Sequence, residues 1–209
     1  MNVQVNLVRW GRNAVLPVKV CCITTMDEAR IAVEAGVLGL ESGVVRLVPY
    51  HATWPSLFEA ERDRLSEAFA AADLSASIEH MGSTAIPGLA AKPIIDILVG
   101  YPENANVPPY IRALTDAGYV HRGEQGIAGR EFFRRGDPRA YHIHLAVAGG
   151  SFWRDHLTFR DRLLADDSLR DAYAALKHDL ASRFPRDRES YIEGKTSFVR
   201  AVLEARPGE

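Results

Sequence analysis

Hydrophobic residues recur at helical spacing in some parts of the chain and form short continuous runs in others. Segment 53–72 spaces its apolar residues three or four positions apart, which predicts a long helix capped by Thr53 with Pro55 in its first turn. The runs ASIEHMG and PIIDILVG predict strands, and EFFRRGDPRAYHIHLAV predicts a hairpin that turns at GDPR. From Ser151 onward three helical segments follow, separated by Asp166-Asp167 and Pro185.

Four further elements complete the prediction. They are a strand over 18–24, a helix from Met26 to Ala35 that stops at Gly36, a short strand over 44–48, and a helix over 108–117. The order predicts a mixed α/β sheet, or an α+β fold, that ends in a helical bundle.

Composition restricts the kind of protein. Of 209 residues, 47% are hydrophobic and 25% charged, and the formal net charge of -2 argues against an extended nucleic-acid surface. No apolar window reaches the roughly 18–20 residues that span a bilayer. The adjacent Cys21 and Cys22 offer no disulfide framework, and the first residues lack the pattern of a signal peptide. We therefore expect a cytoplasmic protein without a membrane partner. Its oligomeric state is open.

One carboxylate interrupts the most apolar strand. Alternation places Ile94, Asp96 and Leu98 on one face of PIIDILVG. A buried carboxylate costs several kcal/mol, on the order of 3–5, unless a cation or hydrogen-bond donors meet it. Gly82-Ser83-Thr84 lies between this strand and the preceding one, and such a turn can hold a phosphate group or can be a plain turn.

The stretch HMGSTAIPGLAAKPIIDI resembles the GrpB family, and the likeness continues through GREFFRRGDPRAYHIHL and YIEGKTSF, over about residues 45–203. This resemblance implies a nucleotidyltransferase-like mixed sheet with helices. It also implies transfer of a nucleotidyl group from a nucleoside triphosphate to a small acceptor. Gly82, Ser83 and Thr84 would then hold phosphate, and Asp96 would hold a divalent metal, Mg²⁺ or Mn²⁺.

The chain departs from the superfamily pattern at the second carboxylate, where Leu98 stands. His142 and His144 share one face of the next long strand and are candidates for a metal ligand, His144 above all, or for a catalytic base. Imidazole favours Zn²⁺ or Mn²⁺ over Mg²⁺. Three readings stay open: one metal on Asp96 and a histidine, a different metal, or a phosphorylated ligand or CoA-related molecule bound without turnover. The simpler alternative is a structural Asp96 that is hydrogen-bonded to the histidines.

An anion site also needs cations. The resemblance and the pattern together select Lys92, Arg160, Tyr191 and Lys195 as candidate phosphate or nucleotide ligands. Lys92 could equally turn toward water, and Gly194 with Lys195 could mark a helix crossing beside an exposed lysine. The charged residues of 130–135 have the pattern of a solvated face.

The N-terminal segment has a different likeness. Residues 16–42 resemble the first βα unit of phosphoribosylanthranilate isomerase, with Cys21 at that family's catalytic cysteine, but they are too short for a (β/α)₈ barrel. The expected organisation is therefore a βα appendage over 1–43, loosely packed or paired at the sheet edge, and a GrpB-like domain over 44–209.

Overall fold

The computed structural model describes residues 25–205, with side chains from residue 29. The predicted strand over 18–24 and both cysteines lie outside the described residues. The helices and strands follow one another in the order α1 (Thr25–Glu34), α2 (Trp54–Ala71), β1 (Ser77–Met81), a 3-10 turn (Ser83–Ala85), β2 (Ile95–Tyr101), α3 (Val107–Asp116), β3 (Val120–His121), β4 (Glu131–Arg135), β5 (Tyr141–Val147), α4 (Ser151–Ala165), α5 (Asp167–Arg183), α6 (Arg188–Glu193) and α7 (Thr196–Glu204).

The five strands form one mixed sheet in the order β1-β2-β5-β4-β3. Strands β2 and β5 run parallel in the middle, and the other neighbours pair antiparallel. A parallel pair needs a long connection, which here contains α3, β3 and β4. The predicted mixed sheet with helices is therefore confirmed, and the four C-terminal helices form the expected bundle.

Alternation along β2 divides the protein into a core and a site. Ile95, Ile97 and Val99 are fully buried in the main core together with residues of α2 and α3. Asp96 and Gly100 lie on the opposite face, which the C-terminal helices cover. A Cβ at Gly100 would stand 2.5 Å from Trp153 of α4, so the helix approaches the strand directly there. None of the helices within residues 25–205 has the length and apolar character needed to span a bilayer.

Three local predictions need correction. Residues 44–48 form no strand, because only Val48 makes a bridge, to Ala91. Thr53 precedes α2 without a side-chain capping bond, and its hydroxyl lies 2.8 Å from His51 Nδ1 instead. The last helical segment divides into α6 and α7 at Gly194, where a Cβ would come within 2.5 Å of Leu180. The predicted helix crossing at Gly194 is present.

The described part of the N-terminal segment packs into the core rather than loosely. Ala32 and Leu38 belong to the main core cluster, and Leu38 is 1% exposed. The indole of Trp54 donates to the carbonyl of Val37 at 2.8 Å. Leu40 forms a single antiparallel bridge with Arg139, whose side chain donates to the Leu40 and Glu41 carbonyls. Residues 29–43 thus pack against the segment that is predicted to form the GrpB-like domain.

We expect Leu38→Ala to lower the free energy of unfolding by about 2–5 kcal/mol, the usual result of a large-to-small change in a packed core. Ile31→Ala is the matched control, because Ile31 is 47% exposed on α1 and its truncation should change stability by less than about 0.5 kcal/mol. Urea unfolding of both variants measures the difference. Equal effects would show that residues 29–43 contribute nothing to the core.

Candidate functional site: a cationic pocket around Asp96

Gly82 brings the end of β1 against the Asp96 carboxylate. The strand pairing sets Met81 opposite Asp96, and the chain then turns at Gly82 with φ 73° and ψ -171°. This conformation is almost restricted to glycine. A Cβ at Gly82 would also stand 2.9 Å from Asp96 Oδ2. The Gly-Ser turn and the carboxylate are therefore in contact, and a side chain at position 82 would separate them.

Two imidazoles from β5 face the same carboxylate oxygen. His142 Nδ1 lies 3.1 Å from Asp96 Oδ1, and His144 Nε2 lies 3.8 Å from it. Burial raises the pKa of Asp96, but the hydrogen bonds and charge of the two histidines outweigh burial and hold that pKa well below its ordinary range. Asp96 is therefore ionised at every physiological pH.

The tautomer of His144 follows from its neighbours. A guanidinium can only donate, and Arg130 Nη1 lies 3.2 Å from His144 Nδ1, so Nδ1 accepts and Nε2 carries the hydrogen that points to Asp96. Burial lowers the pKa of His144 to about 4, and this ring is neutral at pH 7. On His142, Nδ1 donates to Asp96, while the buried Nε2 has no hydrogen-bond partner within residues 25–205.

A pocket of about 430 Å³ opens above Asp96, within the range of small-molecule sites. Asp96 is the only carboxylate among the described residues that line it. Six cationic side chains share the same walls: Lys92, Arg130, Arg139, Lys177, Arg188 and Lys195. The pocket therefore carries a large positive excess in a protein whose net charge is -2.

Three of these cations are lysines, and two of them lie above the same aromatic ring. Lys92 and Lys195 place their ammonium groups 4.4 and 4.5 Å from the centre of the Tyr191 ring, so one tyrosine serves two cations. Lys177, 2% exposed, donates to Ser83 Oγ at 2.9 Å and to the Ala90 carbonyl. Burial, then repulsion from Lys195 and Lys92, lowers the pKa of Lys177 to about 7. Burial is also the main reason that the pKa of Lys92 and of Lys195 falls to about 8.

Comparison with known proteins identifies the family. The model described as "GrpB protein" matches residues 44–205. This chain belongs to the GrpB family. It is 35% identical to the glutamate-rich protein GrpB of Alkalihalophilus pseudofirmus, over 79% of this chain and 98% of that one. It is 36% identical to the UPF0157 protein YqkA of Bacillus subtilis, over 77% of this chain and 46% of that protein.

The fold of the family is also known from a solved structure. GrpB from Enterococcus faecalis aligns with a TM-score of 0.67 and 31% identity, over 76% of this chain and 94% of that one. The chain spans less than half the length of YqkA, so the longer relative contains a part without a counterpart in this match. The predicted GrpB membership and mixed sheet are confirmed.

The structure brings most of the predicted site residues into one pocket. Nine of them line it: Gly82, Ser83, Thr84, Lys92, Asp96, His142, His144, Tyr191 and Lys195. Thr84 is 2% exposed, and its hydroxyl is already shared by His80 Nε2 at 3.0 Å and the Ile94 carbonyl at 3.4 Å. Arg160 lies outside this pocket and donates to Glu79 at 2.8 Å and to the His80 carbonyl at 2.9 Å.

Two expectations about charges are wrong. Residues 130–135 are no solvated face, because Arg130 is 5% exposed beside His144 and Arg135 contacts the buried Glu61. Lys195 is likewise not a solvent-exposed lysine. Alternation along β4 places Phe132 and Arg134 beside the two histidines of β5.

Sequence reasoning missed Lys177, Arg139 and Arg188. The sequence does contain a pattern that indicates burial of Lys177. This residue lies four positions after Tyr173 and three before Leu180, on the apolar face of α5. A lysine at such a position is buried or reaches through the core. Arg139 and Arg188 lie in a hairpin turn and at a helix start, and no periodic pattern marks either residue.

The side chains around Asp96 do not fit a divalent metal. In the part of the chain that the structure describes, no group of three or more His, Cys, Asp or Glu is placed to hold an ion. Leu98 is fully buried at the second acid position. His144 Nε2 presents a hydrogen to Asp96, so it has no lone pair to share with a metal there. The predicted pairing of Asp96 with His144 around a metal stays a prediction, and this geometry disfavours it.

We expect Gly82→Ala to destabilise the protein by more than Gly88→Ala. Both glycines have positive φ, but an alanine Cβ at 88 meets nothing within 4 Å, whereas at 82 it meets the Asp96 carboxylate. The strained backbone costs about 1–3 kcal/mol at either position, and the contact with Asp96 adds to it at 82. Chemical unfolding of both variants gives the comparison. Equal losses would mean that the turn and Asp96 are not closely packed.

The buried lysine predicts a pH dependence of stability. In the unfolded chain Lys177 keeps its proton to about pH 10.4, whereas in the fold its pKa is about 7. Between these values the unfolded state binds more protons, so this residue raises the free energy of unfolding as the pH rises above 7. Urea unfolding at pH 6 and pH 9 should show wild type gaining stability relative to Lys177→Met. A constant difference between the two proteins would contradict the lowered pKa.

Proposed function

We propose that the pocket binds the polyphosphate chain of a nucleoside triphosphate or another phosphorylated small molecule. The observation that carries this proposal is the gathering of six cationic side chains around a single carboxylate. Burial is the main cause of the lowered pKa values of its three lysines, and repulsion from neighbouring cations adds to it, so the empty pocket is costly. A multiply charged anion supplies the compensating charge.

The available donors suit phosphate oxygens. Ser83 and the backbone of the Gly82 turn lie beside Lys177, at the edge of Asp96. Lys195 and Lys92 stand above Tyr191 on the facing wall. Charge-assisted hydrogen bonds to phosphate are about twice as strong as neutral ones, and lysine acts as a mobile point charge there. Arg188, an exposed arginine in the same lining, adds a planar donor group that can hold two phosphate oxygens.

Nucleotidyl transfer is the second candidate. It is favoured by the place of Asp96, an ionised carboxylate that is 30% exposed at the floor of an otherwise cationic pocket. In the superfamily that the sequence resembles, a carboxylate at this position holds a divalent ion that binds the triphosphate. The missing acid at Leu98 and the engaged nitrogens of His144 favour binding over turnover. Binding without metal is therefore the first candidate.

The test is calorimetric titration of ATP and of inorganic tripolyphosphate in EDTA, with wild type, Lys195→Met and Arg200→Met. Removing one charge-assisted contact costs about 1.5–3 kcal/mol, so Lys195→Met should weaken binding roughly 10- to 100-fold. Arg200 is an exposed cation on α7 outside the pocket, and Arg200→Met should leave the Kd unchanged.

Three results are informative. No heat with either anion in wild type, or equal weakening by both substitutions, overturns the proposal. Binding that appears only when Mg²⁺ or Mn²⁺ is added, and that Asp96→Asn abolishes, would restore the metal-dependent alternative. Release of pyrophosphate from ATP in the presence of candidate hydroxyl or amino acceptors would establish transfer.

A further inference from the structure

A second cavity of about 200 Å³ adjoins the cationic pocket across the Gly-Ser turn. The two cavities share Gly82, Ser83 and Tyr173, so these residues form the wall between them. The volume is below the roughly 300–1,000 Å³ of a complete ligand site, and it suits one part of a molecule. The two cavities therefore lie on either side of the Gly82-Ser83 turn, and a ligand that occupies both has to pass this turn.

The lining of the second cavity is mainly apolar, whereas the lining of the first is rich in cationic side chains. Phe159 and Tyr173 meet edge to face with ring centres 5.1 Å apart, and Ile86, Val199 and Leu203 supply aliphatic surface. Aromatic walls of this kind favour flat rings, which stack or meet them by the edge. A phosphate chain gains nothing here, whereas the ring of a nucleotide loses unfavourable contact with water.

The polar groups at this cavity accept hydrogen bonds. His156 Nδ1 lies 2.7 Å from the Phe152 carbonyl, which can only accept, so Nδ1 carries the hydrogen and Nε2 keeps its lone pair. No hydrogen bond to His156 Nε2 is formed within residues 25–205, and the Asp155 carboxylate forms no ion pair there. Arg160, the one cation in the lining, is already engaged by Glu79, Asp161 and the His80 carbonyl.

We propose that this second cavity is the base subsite of the pocket, and that it selects a nucleobase with an exocyclic amine, which donates to His156 Nε2. The inference rests on the proposed binding of a nucleoside triphosphate in the cationic pocket and names the part of the ligand that determines specificity. The ring lies against Phe159 and Tyr173, and the phosphates pass the Gly82-Ser83 turn to the lysines. Adenine, cytosine and guanine carry an exocyclic amine, whereas uracil and thymine carry none.

The first comparison uses ring-bearing and ring-free anions. Wild type should bind ATP at least about 10-fold more tightly than inorganic tripolyphosphate, since burying a ring adds apolar contact. Val199→Trp fills the second cavity, so it should remove the advantage of ATP and leave tripolyphosphate binding unchanged. Ala201→Trp is the matched control, because it places the same side chain on an exposed position of α7 and should behave as wild type.

The second comparison tests the amine. Purine riboside 5′-triphosphate differs from ATP only by lacking that group, and it should bind wild type several-fold more weakly. His156→Ala should bind the two ligands with equal affinity. Because this substitution removes side-chain volume instead of adding it, it tests the subsite even if Val199→Trp fails to fold. Thermal unfolding confirms that each variant is folded.

Some outcomes overturn the base subsite alone. If tripolyphosphate binds wild type as tightly as ATP does, or if Val199→Trp binds ATP with wild-type affinity, the ring does not occupy the second cavity, while anion binding in the first pocket stands. An undiminished preference for ATP over its amine-free analogue in His156→Ala overturns the role of His156. If wild type binds neither ATP nor tripolyphosphate, the proposed function fails and this inference fails with it.

Discussion

The ionised Asp96 in the central strand is the interaction on which the rest of the site depends. A partly buried charge is costly when it is left uncompensated, so the structure has to supply donors at that point. It does so with His142 and His144 from the parallel neighbour β5. Gly82 is needed because the turn after β1 passes directly over the carboxylate. The places of Gly82, His142 and His144 around Asp96 are thus explained by one partly buried carboxylate.

The cationic side chains around Asp96 impose a second constraint, because their positive charge exceeds the negative charge of the carboxylate. One carboxylate cannot balance six basic side chains, and two of the lysines share the face of Tyr191 instead of an acid. Electrostatic repulsion that the fold leaves uncompensated is the kind of strain that a functional site retains and a structural core avoids. Leu98 is fully buried at the position of the second acid, and His144 Nδ1 already accepts a hydrogen bond from Arg130 Nη1.

The pocket is assembled from distant parts of the chain. Strands β2 and β5 supply its floor, helices α5 and α6 supply Lys177 and Arg188, and the segment before α2 supplies Leu40 and Val44. Residues 29–43 therefore contribute both to the core and to the wall of the pocket. The second cavity lies between the Gly-Ser turn and the C-terminal helices, so this turn separates a cationic pocket from a mainly apolar cavity.

The sequence by itself determined strands β1, β2, β4 and β5, most of the helices, the family and nine residues of the pocket, because periodicity and local motifs depend on neighbours along the chain. It missed the two-residue strand β3. It could not show that Arg130 is buried, that Arg160 binds Glu79, or that Lys177 meets Ser83 from 94 positions away. Those pairings depend on which faces of the sheet and the helices meet in space. From sequence alone, a charged side chain is predicted to be exposed to solvent. Only the tertiary structure decides which charged side chains are buried together.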